Sequence, residues 1–224
     1  MLPGQHVLLF VRPHGSDETG ALCDSLLMHD WRLVSGDAGW NAIGEILRAH
    51  RTPCAVTMGT FDGVHAGHRS LVAATRRLAL GQGLDVVAVT FSPRPERYFA
   101  HDAVLPDLCS IDERISRLRA AGADRVVVLP FGRTLAEVPA AGFAGALVDE
   151  LGLELLCVGE DFSCGRDREG DPVFLRALGL VVHVHSFVRD EDGIKVSSSR
   201  LREQLAAAAS PAPFAASARL TVDA

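Results

Sequence analysis

The apolar run Cys54-Ala55-Val56-Thr57-Met58 passes into Gly59-Thr60-Phe61-Asp62-Gly63-Val64-His65-Ala66-Gly67-His68, and a helical pattern begins inside that segment. A strand that feeds directly into a helix is half of a crossover unit, the connection that parallel strands require. The alternation then repeats. Apolar runs at Val86 to Phe91, Arg125 to Leu129, Leu155 to Val158 and Val181 to Phe187 read as further strands. Helical patterns cover 67–80, 111–121, 140–151 and 198–208. The predicted fold class is α/β, Rossmann-like, with a mostly parallel sheet.

Local signals sharpen the helix ends. Ser110-Ile111-Asp112-Glu113 fits a capping box, and Gly122 fits the glycine that closes the same helix. Residues 1–50 hold one apolar run, a Gly/Asp-rich turn region and a short helical pattern from Trp40 to Ala49. They are read as an N-terminal extension of unassigned role, with 51–206 as the main domain. Residues 207–224, rich in Ala, Ser and Pro, are read as a flexible tail.

Composition removes some classes of partner. A net charge of −6 argues against a general nucleic-acid binder, which needs a basic face. The run Val7 to Val11 is too short for a membrane span and lacks the flanks of a signal peptide. Five scattered cysteines, Cys23, Cys54, Cys109, Cys157 and Cys164, form no C-x-x-C pair, so reduced thiols and no zinc site are expected. Together these features predict a cytoplasmic protein that binds neither membrane nor nucleic acid.

Two segments carry phosphate chemistry. Helix N-termini attract phosphate through unpaired N–H groups and a positive dipole end. In the first segment, Gly59 and Gly63 allow a sharp turn after the strand. His65 and His68 lie on one side of the helix start, and Gly67 between them leaves room for a nucleotide. Imidazole N–H groups there can stabilise charge that grows on phosphate oxygens during attack. The second segment is Val196-Ser197-Ser198-Ser199-Arg200-Leu201-Arg202. Helix capping alone would explain its serines. Paired with the histidines, binding of the β- and γ-phosphates by hydroxyl and guanidinium becomes the favoured reading. Two such ends imply a nucleoside triphosphate held from both sides, hence nucleotidyl transfer.

Two further segments leave strands at the sheet's carboxyl end, where open α/β folds place ligands. One runs from Val158 to Asp171 and includes Gly159, Asp161, Phe162, Cys164 and Arg168. The other, Phe91-Ser92-Pro93-Arg94-Pro95-Glu96, is stiffened by two prolines and suits a pocket wall.

These residues resemble the adenylyltransferase module of bacterial bifunctional riboflavin kinase/FAD synthetases. The matching features are residues 59–68, Thr90 to Pro95, Leu129-Pro130-Phe131, Val158 to Phe162 with Gly165, Arg168 and Gly170-Asp171, and Ser197 to Arg202. They keep the family's order from about residue 52 to 205. The resemblance implies a Rossmann-like nucleotidyltransferase fold that moves AMP from ATP to FMN with Mg²⁺, giving FAD and diphosphate. Carried over, it implies catalytic roles for His65, His68, Ser198 and Arg202. Gly59, Thr60, Phe61, Asp62, Gly67, Gly159, Asp161 and Ser199 would bind the nucleotide. Phe91, Pro93, Arg94, Phe162, Cys164 and Arg168 would lie on the flavin side. No direct metal ligand is implied.

The chain departs from the family at Thr60 (usually Asn), Ser199 (usually Thr), Cys164 (usually Phe) and Arg94 (often His). The riboflavin kinase domain that follows the module in the family is not matched. The short stretch after Arg202 therefore predicts a chain that takes its flavin already phosphorylated. Two other readings stay open: transfer to a different phosphomonoester, such as a modified flavin, and a flavin- or nucleotide-binding module without turnover.

Overall fold

Valine and leucine dominate the strands because both faces of the sheet are covered, as parallel sheets require. The computed structural model describes residues 6–7, 34–35, 39–100 and 106–209. Two short strands, β1 (His6–Val7) and β2 (Val34–Ser35), pair antiparallel. The main fold follows as α1 (Trp40–Arg48), β3 (Cys54–Met58), α2 (Ala66–Leu80), β4 (Asp85–Ser92), α3 (Pro95–Phe99), α4 (Ile111–Ala120) and β5 (Arg125–Pro130). It continues through α5 (Arg133–Glu137), α6 (Ala140–Ala146), β6 (Leu153–Gly159), α7 (Pro172–Ala177), β7 (Val182–His185) and α8 (Ser198–Ala209).

The five long strands form one sheet in the order β5-β4-β3-β6-β7, every neighbouring pair parallel. Side chains alternate between two cores, as the two-residue period of a strand dictates. Val56, Met58, Val87, Val89, Val127, Leu129, Leu156 and Val158 join Ile43 and Leu47 of α1 and Phe143 of α6 on one face. Ala55, Val86, Ala88, Val126, Val128, Leu155 and Cys157 join Leu71 and Val72 of α2 and Leu118 of α4 on the other. The capping box of α4 forms, with Glu113 N–H donating to Ser110 Oγ at 3.2 Å and Ser110 N–H to Glu113 Oε2 at 2.9 Å. Gly122 closes that helix at φ +115°.

Several expectations need correction. The boundary at residue 50 cuts through the fold, because α1 buries Ile43, Ile46 and Leu47 in the first core. The helix expected over 140–151 widens after Ala146 into a π-type turn, Leu147–Leu151. β7 stops at His185, freeing Ser186 and Phe187 from the ladder. The start of the expected tail is helical, since α8 reaches Ala209. Residues 210–224, Cys23 and the apolar run beyond Val7 lie outside the described residues. Among the described residues, no helix is long and apolar enough to cross a membrane.

Candidate active site

The chain order reverses at β3, which has β4 on one side and β6 on the other. In open parallel sheets such a switch point opens a crevice at the strands' carboxyl ends. Here it holds a cavity of about 790 Å³. Of the residues expected at the site, Gly59, Thr60, Phe61, His65, Gly67, His68, Phe91, Gly159, Asp161, Phe162, Cys164, Arg168 and Ser198 line it.

The β3–α2 loop is wound tightly. Phe61 and Val64 hold φ of 49° and 45°, with Gly63 at 76° between them. Positive φ in bulky side chains is uncommon and persists only where packing enforces it. Phe61 is fully buried, and its ring braces His68 edge-on at 5.2 Å between centroids. His65 occupies the N-cap position of α2 and stacks on His68 at 3.6 Å, the rings 20° apart. Gly67 serves this stack: a Cβ there would lie 3.0 Å from His65 Cε1.

The His68 amide donates to His65 Nδ1 at 3.4 Å. A neutral His65 accepting there carries its proton on Nε2, an assignment inferred from the bonding pattern. His68 Nδ1 is buried without a hydrogen-bond partner, a state that an incoming polar group would relieve. Burial pushes the His65 pKa down to about 4, helped by Arg69 and Lys195. Burial, with His65 and Arg114, pushes His68 down to about 3. Both imidazoles are therefore neutral near pH 7 and present N–H groups and lone pairs rather than full charges.

The other walls come from later elements. Phe91, Phe99, Phe131, Phe143 and Phe162 make one side apolar and aromatic. Phe131 sits at its centre, edge-on to Phe91 and Phe99 at 5.8 Å each and to Tyr98 at 5.5 Å. The 164–170 loop is closed by paired backbone bonds between Cys164 and Gly170 and presses on the start of α6. A Cβ on Gly165 or Gly170 would come within 2.5 Å of Ala140 atoms, and Glu169 Oε1 accepts the Ala140 amide at 2.9 Å. Burial and Glu169 hold the Cys164 thiol up at about 12, so it is an unreactive wall group.

Five expected site residues do not line the cavity. Asp62 is fully buried and binds Arg202 and Arg94 through Oδ2, while Oδ1 accepts the Leu108 amide at 2.9 Å. Arg94, expected on the flavin side, is 2% exposed and also pairs with Asp107, so here it is a buried ion-pair partner behind the cavity lining. Arg202 points at Asp62 and at the Pro106 carbonyl (3.1 Å). Pro93 is half-buried and does not line the cavity, and Ser199 is exposed on α8. Ser197 caps α8 by accepting the Arg200 amide at 3.3 Å, and Ser198 Oγ donates to the Asp62 carbonyl at 2.9 Å.

Among the polar groups at the cavity that sequence reasoning did not assign to the site, two stand out. Lys195 ion-pairs with Asp161 at 2.6 Å and lies 3.5 Å over the Phe187 ring. His185, at the end of β7, shares a 2.9 Å hydrogen bond with Ser70 Oγ on α2. Lys195 stands just ahead of the Ser/Arg segment, and that proximity was its one sequence signal.

An open parallel sheet with a crevice at its switch point, and two imidazoles at a helix N-terminus within it, defines an α/β protein of the nucleotide-binding type. More particularly, the chain belongs to the FAD synthetase family, whose profile matches residues 47–200. It is 37% identical over 167 residues to the bifunctional riboflavin kinase/FMN adenylyltransferase of Pseudomonas fluorescens, covering 72% of this chain and 53% of that one. Against the protein of the same description from Escherichia coli K12 it is 33% identical over 170 residues, covering 73% and 54%. The chain thus spans about half the length of the curated relatives it matches. A solved Streptococcus pneumoniae structure described as a macrolide-efflux protein superposes with a TM-score of 0.64 at 25% identity, covering 70% of this chain and 53% of that one.

Proposed function

We propose that this protein is an FMN adenylyltransferase. The FMN phosphate oxygen attacks the α-phosphorus of ATP, the bond from that phosphorus to the β-phosphate oxygen breaks, and FAD and diphosphate leave. The observation that carries this reading is one cavity with two unlike ends. The stacked His65 and His68 lie at the start of α2, which packs on one face of the sheet, while Phe91, Phe131, Phe143 and Phe162 pack with the core of the other face. The first suits polyphosphate and the second a flat, apolar ring system.

The acceptor phosphate has a second pKa of about 6, so near pH 7 it is already largely dianionic and needs no general base. The protein's part is alignment and charge stabilisation. His65 Nε2–H and the neutral His68 ring meet oxygens whose charge grows in the transition state. The Lys195 ammonium exchanges its Asp161 partner for a phosphate oxygen. Arg202 acts through α8, keeping Ser197 and Ser198 at the cavity's edge. Mg²⁺ would enter with the triphosphate and neutralise part of its charge. The Asp161 carboxylate and the Ser197 and Ser198 hydroxyls, which line the cavity, would be the hard oxygen donors available to hold it.

The test is direct. Purified protein incubated with ATP, Mg²⁺ and FMN should form FAD, seen by chromatography, with equimolar diphosphate. Riboflavin in place of FMN should give no product. FAD formation absent across a range of conditions in which FMN binds would sink the assignment in favour of a binding module.

A further inference from the structure

The cavity walls come from distant parts of the chain, yet their supports meet at one carboxylate. Asp62 is fully buried and outside the cavity lining. It lies in the loop that ends at His65, the N-cap of α2, and leads into the helix that carries His68. Arg202 reaches it from α8, whose first residue, Ser198, donates to the Asp62 carbonyl. Arg94 Nη1 reaches it at 3.4 Å from the segment between Phe91 and Pro95, both of which line the cavity. Arg114 of α4 stands 3.9 Å from its Oδ1 and donates to the Phe91 carbonyl at 3.0 Å. The carbonyl of Pro106 accepts from both Arg94 (3.4 Å) and Arg202 (3.1 Å).

We propose that Asp62 is the positioning residue that couples the two ends of the cavity. Through Arg202 it sets the edge formed by Ser197 and Ser198, and through Arg94 and Arg114 it sets the aromatic wall at Phe91. The inference rests on the adenylyltransferase reading for the identity of the two ligands. The coupling has a physical cause. Three guanidiniums share one buried carboxylate, so a shift in any of them changes the balance for the other two, and burial keeps that interaction unscreened. Groups in one such network are not energetically independent.

Asp62→Asn would take the carboxylate from Arg114 and Arg202 and leave buried Arg94 leaning on Asp107, and the fold itself could fail. The informative variants keep charge: Arg94→Lys on the aromatic side and Arg202→Lys on the α8 side. Each would be examined by amide hydrogen exchange without ligands and by steady-state kinetics. Arg125→Lys is the control. It removes a comparable buried fork, to Asp85 and the His50 carbonyl, at the opposite end of the sheet.

Arg94→Lys should speed exchange in the first turn of α8 and raise KM for ATP about 3- to 10-fold, as well as KM for FMN. Arg202→Lys should raise KM for FMN by a similar factor. The double variant should fall short of the product of the singles. Arg125→Lys should lower Tm without moving either KM. If Arg94→Lys leaves α8 exchange and the ATP KM unchanged, and the two effects multiply, the walls are independent and the proposal is wrong. If the wild type forms no FAD while Arg94→Lys still loosens α8, the shared frame stands and the adenylyltransferase reading is what fails.

Discussion

Helices α2 and α8 both begin beside the cavity, and they use their first residues in opposite ways. α2 turns both of its imidazoles toward the cavity, stacked and stripped of charge by burial. α8 uses Ser197 as its own cap, Ser198 on the Asp62 carbonyl and Arg202 on the Asp62 carboxylate. Both starts look like phosphate-binding motifs in the sequence. In the fold both starts reach the cavity, but the first leaves a buried nitrogen of His68 without a partner, while the second is already bonded to its own backbone and to Asp62. A polar motif at a helix N-terminus therefore predicts location at a cavity better than it predicts which partners its side chains already hold.

The comparison breaks most visibly at the histidines. Removing one preorganised donor from a transition-state site costs on the order of 10²–10³ in rate. His65→Ala and His68→Ala should each lose about that much kcat while ATP affinity changes far less. Near-wild-type turnover in both would return α2 to the same framing role as α8.

Acid separates the site from the rest of the fold next. His65 and His68 ordinarily titrate near 6.5 and are held at about 4 and 3 in the folded chain. His50 is held at about 4, chiefly by burial, and neither of its ring nitrogens has a partner. Between pH 6.5 and 4 the unfolded chain binds protons that the folded chain refuses, so stability rises with pH in that window. The contribution is complete above 6.5 and is lost as pH falls through the folded values. Urea midpoints should therefore drop steadily from pH 7 to 5. His50→Leu should flatten part of that slope. A bound triphosphate should flatten a different part, because its charge favours protonated His65 and His68 and does not reach His50, packed beside Arg125 at the start of β5. A slope indifferent to both changes would mean that these imidazoles are not the groups responsible.

Much of the scaffold was legible because parallel strands buried on both sides read as unbroken apolar runs. β3 and β5 are buried along their whole length and stand where the sequence places them. α3, α5 and α7 were missed since five or six residues are too few to display a 3.6-residue period. The widened turn after Ala146 is a matter of hydrogen-bond register, which side-chain pattern does not encode. At the site, contiguous motifs located the cavity and its histidines. The mutual pairing of Asp62, Arg94 and Arg202 was not foreseen, because a carboxylate and a guanidinium 140 positions apart give no local sign that each is the other's partner. Phe143 and Phe187 reach the cavity from α6 and from beyond β7, and as single aromatic residues they carry no pattern.

The smallest effects give the sharpest reading of α8, because Ser198 and Ser199 are adjacent and equivalent in the motif. Ser198 Oγ bonds the Asp62 carbonyl, and Ser199 is exposed with its side chain outside the cavity. Ser198→Ala removes one partly buried hydrogen bond, worth about 1 kcal/mol of stability. It should also lower kcat/KM for ATP by roughly 5- to 10-fold, as α8 loses its tie to the loop of His65. Ser199→Ala touches nothing of the kind and should stay within about 0.5 kcal/mol of the wild type, with kinetics barely changed. Resemblance alone would give both serines to the triphosphate and predict similar losses. A large defect at Ser199 with a silent Ser198 would show that α8 turns when the nucleotide binds, bringing the outer serine inward. The frame role assigned to this helix would then belong only to the empty protein.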